Sequence, residues 1–92
     1  MEEKFIRKRY VEECEGIDMM YYLHFVGENA VRQLEISEND INMVTDESPL
    51  EITDADLSEL DLLPEDFITA DEFNRVWNAP EAEQKHLFGK DA

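Results

Sequence analysis

The run Asp54-Ala-Asp56-Leu-Ser58, with Glu65 eleven residues after Asp54, has the outline of a calcium loop: oxygen ligands fall at its first, third, fifth and twelfth positions. The sharp turn of such a loop needs glycine at the sixth position, and that residue is Glu59. Pro64 also stands beside the glutamate that would bind in bidentate fashion. Acidic first turns of a short helix, favoured by the helix dipole, account for the same residues. His24 and His86 are the only histidines, far apart and without paired cysteines, which falls short of a tetrahedral zinc site. Cys14 lacks the basic or helix-N-terminal setting of an activated thiol and reads as a small buried or turn residue. Carboxylates are abundant, but general acid–base work needs two of them held in different environments inside a pocket. These lie in polar, turn-rich stretches instead. With three glycines in all, no phosphate-cradling loop is present. The residues point to no enzyme, no metal and no cofactor.

The acids are unevenly placed. Glu35 to Glu83 holds sixteen Asp and Glu against one base, Arg75, within a chain of net charge −16. Such a field attracts basic partners and repels nucleic acid and anionic membrane. The basic cluster Lys4, Arg7, Lys8 and Arg9 offers phosphate contacts, and Tyr10, Tyr21 and Tyr22 offer stacking. Four charges on a strongly acidic molecule must still overcome its repulsion for a polyanion. Pairing within the fold, between this basic strand and the acidic segment, is the better reading. The acids then have two roles open to them. One is a solvated face that keeps a small domain soluble. The other is a contact surface made of Glu47, Glu51, Asp54, Asp56, Glu59, Asp61, Glu65 and Asp66 for a basic protein partner. Leu57, Leu60, Leu62 and Leu63 would supply apolar anchors between those charges.

Ninety-two residues suit a single domain with one modest core, and a 42% hydrophobic content is too high for a disordered chain. One cysteine excludes an internal disulfide and fits a reducing compartment. The start lacks the apolar run of a secretory signal, and no stretch approaches the roughly 18 apolar residues of a membrane span. A soluble cytoplasmic protein is expected.

Alternation of side chains predicts strands over Lys4–Glu12, Met19–Val26, Ala30–Ile36 and Ile41–Thr45, joined by short polar or glycine-bearing turns. The simplest topology for such links is an antiparallel meander. Thr53-Asp-Ala-Asp56 has a spacing similar to a capping box. It predicts a short helix carrying Leu57 and Leu60 inward and ending before Pro64. Thr69-Ala-Asp-Glu72 matches the capping box fully. Behind it Phe73, Val76 and Trp77 form one apolar stripe until Asn78-Ala-Pro80. Glu81–Phe88 reads as a frayed turn or two, with Leu87 and Phe88 its only docking residues.

The order of these pieces, with Arg32-Gln-Leu-Glu-Ile36 and the closing Phe67-Ile-Thr-Ala-Asp-Glu-Phe-Asn-Arg-Val-Trp77, resembles a family of small, acidic, functionally uncharacterised bacterial domains. Its members end in an I-T-x-x-E-F-x-x-V-W signature and look like proteins encoded among toxin–immunity and mobile-element genes. The resemblance covers roughly residues 4–77 and is most specific over Phe67–Trp77.

The expected fold is α+β: a three- to four-stranded antiparallel meander, about residues 4–45, covered on one face by one or two short C-terminal helices. Phe73 and Trp77 should share its core with Tyr22 or Leu23, and Trp77→Ala should cost roughly 3–5 kcal/mol. The expected function is that of a non-enzymatic acidic protein that occludes a basic surface of a protein partner. Its most concrete form is an immunity-type or nuclease-blocking inhibitor whose carboxylates mimic phosphates. The alternative is a structural or adaptor module, for instance a homodimer through a strand edge.

Overall fold

The computed structural model describes residues 2–12, 16–38, 40–47, 52–53 and 56–90. Two long strands, β1 (Glu3–Glu12) and β2 (Ile17–Val26), pair antiparallel from Glu3↔Val26 to Glu12↔Ile17. Gly27 and Glu28 then turn the chain into β3 (Asn29–Ser37), and Gly27 takes φ 60°, a conformation a Cβ would strain. β4 (Ile41–Thr45) follows as one edge of the sheet. The meander gains a fifth strand, β5 (Phe67–Ile68), which pairs with Phe5 and Ile6 at the other edge and gives the order β4-β3-β2-β1-β5. Two residues are too few to show a period, which is why alternation predicts only four strands.

Strict alternation breaks once, at a bulge where the β2–β3 register shifts between His24 and Phe25. The unpaired Val31 uses its carbonyl to accept the Asp46 N–H at 3.0 Å. Beyond it Ala30 joins Ile6, Leu23 and Phe25, while Met20, Tyr22, Leu34 and Ile36 line the opposite face.

The latter face carries both helices. α1 (Ala70–Trp77) starts at Thr69, whose Oγ1 accepts the Glu72 N–H at 3.1 Å, and buries Phe73 and Val76 over Tyr22 and Leu34. Trp77 differs from its expected place. It is only half-buried, stacked on the Phe73 ring at 5.8 Å, and the fully enclosed aromatic of α1 is Phe73. α2 (Glu81–Lys90) is a ten-residue helix rather than a frayed turn. Arg9 of β1 caps it: its guanidinium donates to the Phe88 carbonyl at 3.0 Å and lies 4.4 Å from that ring's centroid, a cation where the helix dipole favours one. Gln84 reaches back to donate to the Val76 carbonyl at 2.9 Å.

A polar cluster sits under α1. His24 stacks on Phe5 at 4.4 Å, and Arg32 donates through Nε to His24 Nδ1 at 3.0 Å and through its terminal nitrogen to Asn74 Oδ1 at 3.0 Å. An arginine can only donate, so Nδ1 is the acceptor and the ring proton sits on Nε2, 2.8 Å from Glu3 Oε1. His24 is buried in the sheet.

The second face is not bare. Ile52, Leu57, Leu60 and Leu62 pack on Ile6, Leu23 and Phe25 as an irregular strap. The helix expected from Thr53 is replaced here by a single three-residue 3-10 turn, Leu57–Glu59, followed by a second, Pro64–Asp66. Polar bonds to the sheet hold the strap extended. The Glu28 carbonyl accepts the Leu57 N–H at 3.1 Å, and its carboxylate accepts the Ser58 N–H at 3.0 Å. Among the described residues, no helix is long and apolar enough to cross a membrane.

Candidate functional site

Register places Lys8, Tyr21 and Glu35 in one row across β1, β2 and β3, with Leu23 and Gln33 in the next. All five point to the strap side. With Ile52, Thr53, Leu60 and Leu62 above them and Tyr10 at the mouth, they enclose a cleft of about 420 Å³. That volume lies in the range of small-ligand sites, which are largely apolar with a few polar groups converging on them.

The polar groups also build the cleft. Gln33 is 4% exposed and uses both ends of its amide: Oε1 accepts the Thr53 N–H at 2.9 Å, and Nε2 donates to Glu35 Oε1 at 2.9 Å. Lys8 secures the other end of the strap, donating to the Asp61 carbonyl at 3.0 Å and to Asp66 Oδ2 at 3.3 Å. Its charge is therefore matched at the rim, whereas among the described residues Glu35 bonds to a neutral amide. Burial raises the pKa of the Tyr21 phenol, with Glu35 and Tyr10 adding to it, so the hydroxyl keeps its proton. It donates weakly to Met19 Sδ at 3.6 Å. Two phenol rings, apolar walls and one carboxylate make this a place to hold a ligand with an apolar body and a positive end.

The acids singled out from sequence divide. Glu59 Oε1 accepts the Asp56 N–H at 3.0 Å and Asp66 Oδ2 accepts the Leu63 N–H at 2.8 Å, so each closes its own 3-10 turn. Asp66 is half-buried, and its pKa is lowered by the Leu63 N–H first and by Lys8 after it. Glu47, Asp56, Glu59, Asp61 and Glu65 are exposed, and none has an ion pair among the described residues. Glu51 and Asp54 lie outside the described residues. The leucine anchors are corrected: Leu57, Leu60 and Leu62 serve the fold, and only Leu63, 53% exposed, faces outward, joined by Phe67. The expected pairing of the basic strand with the acidic segment is present in Lys8 with Asp66, whereas Arg9 pairs within the sheet with Asp18 of β2, its Nε and a terminal nitrogen meeting the two carboxylate oxygens at 2.9 and 2.7 Å.

Sequence reasoning gave Gln33 and Glu35 no functional role, weighed Tyr10 and Tyr21 only for stacking on nucleic acid, and preferred an internal pairing for Lys8. The available signal was that Lys8 and Tyr10 alternate with Ile6 on a core-facing side. Among the described residues, no three His, Cys, Asp or Glu side chains come together as a metal site. No protein-family model, no curated protein and no solved structure matches the chain.

Proposed function

We propose that this chain is a non-enzymatic acidic binding protein that occludes a basic surface of a protein partner. Its concrete form is an immunity-type or nuclease-blocking inhibitor whose carboxylates stand where phosphates would. One observation carries the reading. Glu47, Asp56, Glu59, Asp61 and Glu65 are exposed and have no ion pair among the described residues, while Lys4, Lys8 and Arg9 are already paired to Glu2, Asp66 and Asp18. The uncompensated charge gives on-rate and selectivity, and the exposed Leu63 and Phe67 beside it supply apolar area for affinity.

The open edge at β4 favours a second reading, a homodimer by strand pairing, because Ile41–Thr45 carries no charged residue. Charge at its ends opposes that reading. The antiparallel register that pairs all five residues with a second copy sets Asp40 opposite Asp46, at both ends of the ribbon. A partner strand flanked by Lys or Arg has no such conflict.

The test is capture of partners by the immobilised protein at about 50 mM and about 500 mM salt, where screening differs several-fold. A basic protein should be retained at low salt, released at high salt, lost with a D56K/D61K variant and displaced by nucleic acid. Retention of no basic protein at either salt refutes the proposal.

A further inference from the structure

We infer that the cleft between the sheet and the strap receives an arginine side chain of the basic partner, its guanidinium on Glu35 and its stem between Tyr10 and Leu60. This rests on the reading just proposed and adds the seat and the residue type. Glu35 spends Oε1 on Gln33, and its Oε2 has no protein partner among the described residues, so one carboxylate oxygen is open to a donor. The cation already present is directed to the strap, where Lys8 Nζ bonds to the Asp61 carbonyl and Asp66, and not to Glu35. A guanidinium suits the rest of the cleft. Its methylene stem lies on apolar walls while its head reaches a polar group, and its plane stacks on a phenol face. Tyr10, 52% exposed at the mouth, and Tyr21 on the floor provide those faces. A purely apolar occupant would cover the open carboxylate oxygen without a donor, and an anion would meet it as a like charge. The cleft exceeds one side chain in volume, so the residues flanking the arginine enter with it.

The experiment is an amide-resolved NMR titration with a capped pentapeptide bearing one arginine between two leucines, against the same peptide with uncharged citrulline. The arginine peptide should shift the amides of Tyr10, Tyr21, Gln33 and Glu35, and the citrulline peptide should bind at least tenfold more weakly, the loss of one charge-assisted bond. Glu35→Gln should weaken the arginine peptide roughly tenfold, and Glu83→Gln, which removes the same charge from an exposed position on α2, by no more than about twofold. Should Glu35→Gln disturb Gln33, Tyr10→Ala at the exposed mouth gives a second reading, with a loss of about threefold. Equal binding of the two peptides, or equal effects of the two Glu→Gln variants, overturns the inference. Shifts confined to Asp56–Glu65 overturn the arginine seat and leave the acidic surface standing. No shift anywhere overturns the seat, and the salt-dependent capture then decides the broader proposal alone.

Discussion

Replacing Gln33 with Leu should loosen the strap before it loosens the sheet. The side chain is 4% exposed, so leucine fills nearly the same space, and the change is in bonding rather than volume. The bond from the Thr53 N–H is a neutral one worth about 1 kcal/mol. The bond to Glu35 involves a charge and would carry about 1.5–3 kcal/mol in a dry setting, but Glu35 is half-exposed, so the low end applies. Leucine's added apolar burial returns roughly 0.5–1 kcal/mol. The balance is a loss of about 2 kcal/mol, or about 10 °C in Tm for a domain of this length. Urea denaturation measures the total, and hydrogen exchange locates it. The Leu57 N–H on Glu28 and the Leu60 N–H on Leu57 should lose protection, while the β1–β2 amides should change only by the global amount. A loss below about 0.5 kcal/mol with unchanged protection at Leu57 and Leu60 would show that Gln33 does not secure the strap.

Phe73→Ala should cost about 3–5 kcal/mol because the ring is fully enclosed, whereas Trp77→Ala should cost about 2 kcal/mol, since it loses one stacked face and a cation–π contact with Arg32 at 5.2 Å. The opposite ranking in denaturation experiments would contradict the burial described for α1. Acid should unfold the protein through three carboxylates held below their ordinary range: Asp18 by Arg9, Glu28 by Ser58, and Asp66 by the Leu63 N–H and Lys8. Each has a folded pKa below its unfolded one, so its stabilisation is complete above roughly pH 4–5 and vanishes as pH falls through the folded value. A Tm-against-pH curve should bend down below about pH 4, and Asp18→Asn with Asp66→Asn should flatten that limb. Superimposable limbs for variant and parent would remove those residues from the account.

The meander was legible because each strand carries its own period. The expected strands agree with β1 to β4 within two residues at every end, since Phe5, Tyr22, Leu34 and their neighbours alternate against turns that glycine or polar residues make. Thr69 announced α1 for a similarly local reason. The strap was misread because Leu57 and Leu60 fit a helical spacing and Leu60 and Leu62 fit an extended one. Bonds from Gln33, Glu28 and Lys8, distant in sequence by 20 to 53 residues, decided between them. α2 shows too little apolar patterning to announce itself and is fixed by Arg9, 79 residues away from Phe88. The cleft has no motif. It exists only because register aligns Lys8, Tyr21 and Glu35, three residues from three strands.

A chain this acidic has to divide its carboxylates between folding and everything else. Asp18 holds Arg9, which in turn closes α2; Glu28 holds the start of the strap; Glu59 and Asp66 close its two turns. Each of these accepts an N–H from another part of the fold, so each has a structural role whatever the protein binds. Among the described residues, the exposed Glu47, Asp56, Asp61 and Glu65 make no hydrogen bond or ion pair through their carboxylates, and Asp61 offers Lys8 only its backbone carbonyl. Their mutual repulsion destabilises the folded state, and solubility alone would be served as well by charges spread over both sheet faces and α2. Three of the four, Asp56, Asp61 and Glu65, lie in the strap and the turn that follows it, in the same segment as the Leu60 and Leu62 that wall the cleft. On the function proposed above, one segment would then serve both steering and seating, because the strap that Gln33 and Lys8 hold over the cleft also carries exposed carboxylates.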